Sequence, residues 1–244
     1  MRTALLAALF LAGAAQAAPE EMDYSKCVSL VDRNPALAEE RAHQWQQAGG
    51  GRAAIHCDAL ALTALKHYAE AAHELDALAR ERGISLPEQA ALYDQAGNAW
   101  LLAGKGAEAL ADFSASLAAK PDPAVIVDRA RARAMLKDWK GAEADLSTVL
   151  HDDQNRADLL VLRASARWAL GRRDDAATDI LRALQIYPDY PPALVERGMM
   201  KLSIGDKNGA RSDWKKAAAS GDSGAAEDAR QNLTALDAQG RTGR

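Results

Sequence analysis

Ala109, Ala142, Ala176 and Ala210 recur with a period of about 34 residues. Phe113, Leu146, Ile180 and Trp214 keep the same beat, as do Gly97, Ala130, Ala164 and Gly198. Small side chains at fixed places in such a period let two packed helices approach closely, so the spacing predicts helical hairpins stacked in a row. The expected class is all-α, an α-solenoid in which each hairpin buries its apolar face against the next. Such a chain offers a long surface for binding, and nothing in the period names the partner.

The start of the chain reads as an export signal. Met1-Arg2-Thr3 is a short basic opening, Ala4 to Ala15 is an apolar run, and Ala15-Gln16-Ala17 puts small residues where a signal peptidase reads. Residues 1–17 are therefore expected to be removed, and the mature chain to begin at Ala18. The expected location is the periplasm of a Gram-negative cell, with secretion as the alternative. The run is shorter than the roughly 20 apolar residues that cross a bilayer, and no comparable run follows, so no membrane span is predicted. The formal net charge of −4 becomes −5 once Arg2 is lost, and acidic and basic residues interleave. That balance lacks the dominant basic field of a nucleic-acid binder.

Cys27 and Cys57 are separated by close to one repeat length. Equivalent helices of neighbouring hairpins sit side by side, so the two thiols of an exported chain are expected to pair. Buried free thiols are the alternative in a reducing compartment.

Several positions agree in each of four successive copies. Tyr93, Gly97, Trp100, Ala109, Phe113 and Pro121 in the first, and Leu160, Ala164, Ala176, Ile180, Ala183 and Pro188 in the third, resemble the tetratricopeptide repeat. The resemblance covers 90–224 as four units, 90–123, 123–156, 157–190 and 191–224, with Gln154 and Asp222 replacing the terminal proline of the second and fourth. It implies a right-handed α-solenoid. Upstream, 52–89 reads as a degenerate unit and 18–51 as a further helical pair. Downstream, the Ala226, Ala229, Leu233 and Leu236 stripe predicts a capping helix over 225–239, followed by a flexible basic tail, 240–244. Turns are expected at Gly104, Lys137, Gly171 and Gly205, and Asp138, Asp174 and Asp206 are expected to cap the helices that follow. Asn34 and the Ser85/Glu88 pair are further capping candidates, and Pro123 and Pro191 are placed at helix starts.

Arg129, Arg163 and Arg197 recur once per repeat, and Asp145, Asp179 and Asp213 follow them at one constant offset. An antiparallel hairpin sets these places at one height on facing helices, so an ion-pair ladder is expected, with a row of anion-binding arginines as the alternative. The family resemblance implies a concave groove lined by the first helix of each hairpin. Carried over, its positions hold Asp94, Asn98 and Leu101; Val127, Arg131 and Ala134; Val161, Ser165 and Trp168; Val195, Met199 and Leu202. Packing of Trp168 and Met199 against neighbouring helices is the competing reading. Some members of the family hold terminal carboxylates with lysine, asparagine and arginine, but here Asp128, Val161 and Ser165 fill places where that clamp needs polar or basic groups.

Catalytic signals are missing from the sequence. His43, His56, His67, His73 and His151 show no metal-ligand spacing, Ser165 and Ser203 lie on helices without a strained elbow, and Gly49 to Gly51 lacks the lysine of a phosphate loop. No metal, cofactor or nucleic acid is expected. The expected function is a non-enzymatic adaptor of the cell envelope that binds another protein or peptide through the groove. Self-association as a structural array, and service as an accessory subunit of an envelope enzyme, are the alternatives, and the oligomeric state is left open.

Overall fold

The computed structural model describes residues 22–242, with side chains through 238; the expected export signal, 1–17, lies outside the described residues. Within them are thirteen α-helices and no strand. Six hairpins follow one another: α1 (Tyr24–Arg33) with α2 (Pro35–Gln47), α3 (Gly51–Ala64) with α4 (Tyr68–Ala79), α5 (Leu86–Leu102) with α6 (Gly106–Ala119), α7 (Pro123–Met135) with α8 (Trp139–Asp152), α9 (Ala157–Ala169) with α10 (Arg173–Ile186), and α11 (Pro191–Ser203) with α12 (Lys207–Ala218). A single helix, α13 (Ser223–Thr242), closes the stack. It runs on through residues 240–242, which corrects the expectation of a tail from 240, and α5 starts at Leu86, ahead of the expected unit boundary at 90.

Chain reversals reuse one device. The residue entering each turn from α3, α5, α7, α9 and α11 is left-handed: Lys66, Gly104, Lys137, Gly171 and Gly205, with φ between 61° and 85°. Where an aspartate follows the turn by one residue it caps the next helix. Asp138 accepts from the Gly141 amide at 3.0 Å and Asp206 from the Gly209 amide at 2.8 Å. Asp174 is the correction to this pattern. It lies inside the first turn of α10, whose N-cap is Arg172 with no side-chain cap bond, so its carboxylate can only favour the positive end of the helix. Asn34 and Ser85 cap α2 and α5, and Pro123 and Pro191 are the first residues of α7 and α11.

Helix pairs close on small residues matched to what faces them. Glycine stands at 97 opposite Phe113 and at 198 opposite Trp214, whereas alanine at 130 and 164 belongs to hairpins carrying Leu146 and Ile180 at the equivalent place. A Cβ added at Gly97 would lie 2.7 Å from the Phe113 ring, and one at Gly198 only 2.3 Å from the Trp214 indole nitrogen. The largest core, in the last three hairpins, is built on Leu146, Leu159, Ile180, Leu194 and Trp214, and Leu236 of α13 completes it. At the other end, Cys27 and Cys57 form a disulfide that ties α1 to α3 through a fully buried contact.

First helices of successive hairpins touch one another, α5 with α7, α9 with α11 and α11 with α13, more closely than the second helices do. A row of hairpins closer on one side bends toward that side. The first helices therefore line the inner, concave surface of the solenoid.

Candidate binding surface

Three hairpins share one electrostatic unit. Arg129 grips Asp145 with two hydrogen bonds of 3.0 and 2.7 Å, Arg163 grips Asp179 at 2.9 and 2.8 Å, and Arg197 grips Asp213 at 2.8 and 2.7 Å. One turn further along each first helix a second cation joins the same carboxylate: Arg133 at 3.0 Å, Arg167 at 2.8 Å and Lys201 at 2.8 Å. These second cations also recur once per repeat, a periodic signal in the sequence that the Arg–Asp spacing alone does not reveal. Burial pushes the Asp213 carboxyl up, but its bonds to Arg197 and Lys201 outweigh this and hold it below the usual carboxylate range. Each arginine of the row is committed to its own carboxylate, which leaves the alternative of an anion-binding row without free cations.

The inner surface draws on several helices at once. Arg131 of α7 and Ser165 of α9 line a cavity of about 180 Å³ whose walls are Ala130, Ala134, Leu162 and the Trp139 ring. Arg131 is half exposed and paired with Asp128, while the Ser165 hydroxyl bonds Glu196 of α11 at 3.1 Å. On α5 the Asn98 amide donates to Asp94 at 3.1 Å. Met199, one turn beyond Glu196, is 44% exposed.

No family model matches this sequence. Curated relatives are RNA polymerase II-associated protein 3 of Rattus norvegicus, 30% identical over 111 residues, and that of Mus musculus, 31% identical over 111 residues. Each match takes in 45% of this chain and spans only 17% of the relative's length. Among solved structures, a tetratricopeptide repeat protein from Parabacteroides merdae superposes with a TM-score of 0.61 at 17% identity, covering 86% of this chain and 84% of that one. MamA from Desulfovibrio magneticus superposes with a TM-score of 0.59 at 17% identity, covering 68% and 93%. This chain is a tetratricopeptide-repeat solenoid.

Within the tetratricopeptide array, not every expected groove residue reaches the groove. Val127 and Val161 are 6% and 7% exposed and belong to the central core, a correction to their expected role. Their helix faces turn toward the following helix, where burial of an apolar side chain is worth more than its exposure. Leu101, Val195 and Leu202 are half-buried and brace the core from its inner edge. Trp168 is also displaced from the groove. It packs on the core under the Arg173 guanidinium, 5.2 Å from the ring centroid, and with Met200 and Ile204 it lines a separate cavity of about 320 Å³ at the turn edge. Of the other expected residues, Arg131, Ala134 and Ser165 meet at one cavity, Asp94 and Asn98 pair on α5, and Met199 is exposed on α11.

The α3–α4 and α5–α6 hairpins depart from the ion-pair rule. Counting three residues from the packing alanine, the buried acidic position is Glu74, Asp112, Asp145, Asp179 and Asp213 in successive hairpins, but Glu74 and Asp112 meet acids instead of arginine. Burial, with hydrogen-bonded Asp58 and the charges of Glu39 and Glu70, pushes the Glu74 carboxyl up to about 7. Burial and hydrogen-bonded Asp76 do the same for Asp112, against the opposing Arg80. Asp58 is fully buried between His43, whose Nε2 lies 2.7 Å away, and Gln46. Carboxyls raised in the folded state keep a proton that the unfolded chain has released. Their contribution is complete below about pH 4.5 and lost as pH rises toward 7. We therefore expect Glu74→Gln and Asp112→Asn to be neutral at pH 5 and stabilising by about 1 kcal/mol each at pH 8, solvent screening allowed for. Equal melting of parent and variants at both pH values would count against these proton-sharing pairs.

At the N-terminal end of the inner surface, His56 bridges two partners, Tyr24 Oη at 2.7 Å from Nδ1 and Gln95 Oε1 at 2.7 Å from Nε2. Among the described residues no group of three or more His, Cys, Asp or Glu is placed to hold a metal ion, and no helix is long and apolar enough to cross a membrane.

Proposed function

We propose that this chain is a non-enzymatic adaptor of the cell envelope, which captures another protein or a peptide on its inner surface. The observation that carries this reading is the cavity between α7 and α9, where Arg131 and Ser165 from neighbouring hairpins flank apolar walls of a size suited to one aliphatic side chain. An extended or helical segment laid along the first helices meets such a socket and the polar groups beside it without any rearrangement of the stack. The basic, apolar and small-residue opening of the chain supports an envelope location, and the committed ion pairs give the array rigidity without supplying reactive groups.

A photo-crosslinking residue at Met199 tests this in cells. Inner-face Met199 is expected to yield discrete adducts from the envelope fraction, and Leu181, 55% exposed on a second helix, is expected to yield none. Equal labelling at the two places, or recovery of the chain from the cytoplasm alone, would sink the proposal.

A further inference from the structure

The inner surface carries an uncompensated charge. Asp94 and Glu196 have only neutral hydrogen-bond partners, the Asn98 amide and the Ser165 hydroxyl, and no cation is paired with either among the described residues. Their neighbours add the same sign: Asp122 and Asp128 act on Asp94 across α5 and α7, and Asp228 of α13 acts on Glu196. Arg131, the exposed cation of this face, is consumed by Asp128, and Arg156 at the start of α9 is held by Asp158 through two bonds of 2.9 and 2.7 Å. In the last three hairpins the packing carboxylates Asp145, Asp179 and Asp213 each hold two cations. Asp94 and Glu196, on the inner face, hold none.

We infer that the inner surface takes a cationic protein segment, one bearing lysine or arginine on both sides of an aliphatic residue that enters the Arg131–Ser165 cavity. This rests on the adaptor reading above and specifies its partner. A segment seated in the cavity between α7 and α9 has Asp94 on one side and Glu196 and Asp228 on the other, so a basic residue on each flank meets unpaired negative charge. An acidic or carboxylate-terminated segment would meet repulsion on both flanks, since neither Arg131 nor Arg156 is free to receive it. Burial and like charge also raise the Asp94 carboxyl to about 6, and burial with Asp228 raises that of Glu196. A bound cation reverses the like-charge part of that shift, so binding should release protons near pH 6.

Selection of random twelve-residue peptides on the intact chain gives the test. Enriched peptides should be net positive, bind about tenfold more weakly to Asp94→Asn/Glu196→Gln, and weaken as salt rises from 50 to 500 mM. Enrichment of acidic or carboxylate-terminated peptides whose binding Arg131→Ala abolishes would overturn this inference and leave the adaptor reading intact. Cationic peptides that bind parent and variant equally overturn it too, and so does dimerisation that the double substitution abolishes, which would assign the face to a second copy. No enrichment above an unrelated helical array would overturn the inference and the adaptor reading together.

Discussion

Asp179→Ala is expected to destabilise the array by about 3–5 kcal/mol, because it removes a buried carboxylate shared by two guanidinium groups, those of Arg163 and Arg167. Arg163 and Arg167 are each 16% exposed at the side chain, and Asp179 is 4% exposed. Arg167 keeps a second partner in Glu143 at 2.8 Å, so the loss falls chiefly on Arg163, left with only the Ser147 hydroxyl at 3.3 Å. The pair itself contributes little net stability, since withdrawing both charges from water offsets most of their attraction. The two substitutions together, Arg163→Met and Asp179→Leu, should therefore melt close to the parent. Thermal unfolding followed by helical circular dichroism decides between the alternatives. A single substitution that costs as little as the double one would show that the ladder is not buried enough to matter.

Gly198→Ala is expected to cost about 2–3 kcal/mol although alanine is the better helix former by about 1 kcal/mol. The new methyl would meet the Trp214 indole, which cannot yield: it is 1% exposed and its Nε1 donates to the Val195 carbonyl at 3.1 Å. Trp214→Leu makes room, and Ala164 facing a hairpin with Ile180 already shows the alanine version of the same contact. The double variant should consequently lose less than the sum of the two single losses, with a coupling of about 1–2 kcal/mol. Strict additivity in denaturant titrations would mean that positions 198 and 214 do not pack as described.

The Gly198–Trp214 contact also marks how far the primary structure can be read. The glycine or alanine at 97, 130, 164 and 198 is visible as a list of small residues, and the aromatic or aliphatic residue at a constant offset beyond each is visible beside it. Hairpin geometry converts that offset into contact, which is why the Arg129–Asp145 series is legible from spacing. Asp174 misleads because an aspartate near a turn caps a helix only when it stands one residue outside, and a shift of two residues cannot be seen without the backbone. Val127 and Val161 mislead for a similar reason. A helical position on the border between inner face and core goes to whichever side its rotation favours, and the degree of rotation comes from how α7 and α9 pack on their neighbours.

Glu74 and Asp112 divide at this limit. Asp58 precedes Glu74 on the same hairpin at the offset of the Arg129–Asp145 series, so that pair follows from spacing, whereas Asp76, the partner of Asp112, lies on α4 of the preceding hairpin and only stacking brings it near.

The order of residues is enough to specify the helical class, the hairpin period, the turns at Gly104, Lys137, Gly171 and Gly205, and the pairing of arginine with aspartate within a unit. Those are contacts at fixed separation along one hairpin, and a repeating local geometry maps separation onto distance. Stacking selects which side chains face the inner surface: it takes Trp168 away, brings Arg131 and Ser165 to one cavity, and leaves Asp94 and Glu196 without cations. These depend on the rotation and spacing of one hairpin against the next, which no single unit encodes because every hairpin acquires its orientation from the neighbour it buries.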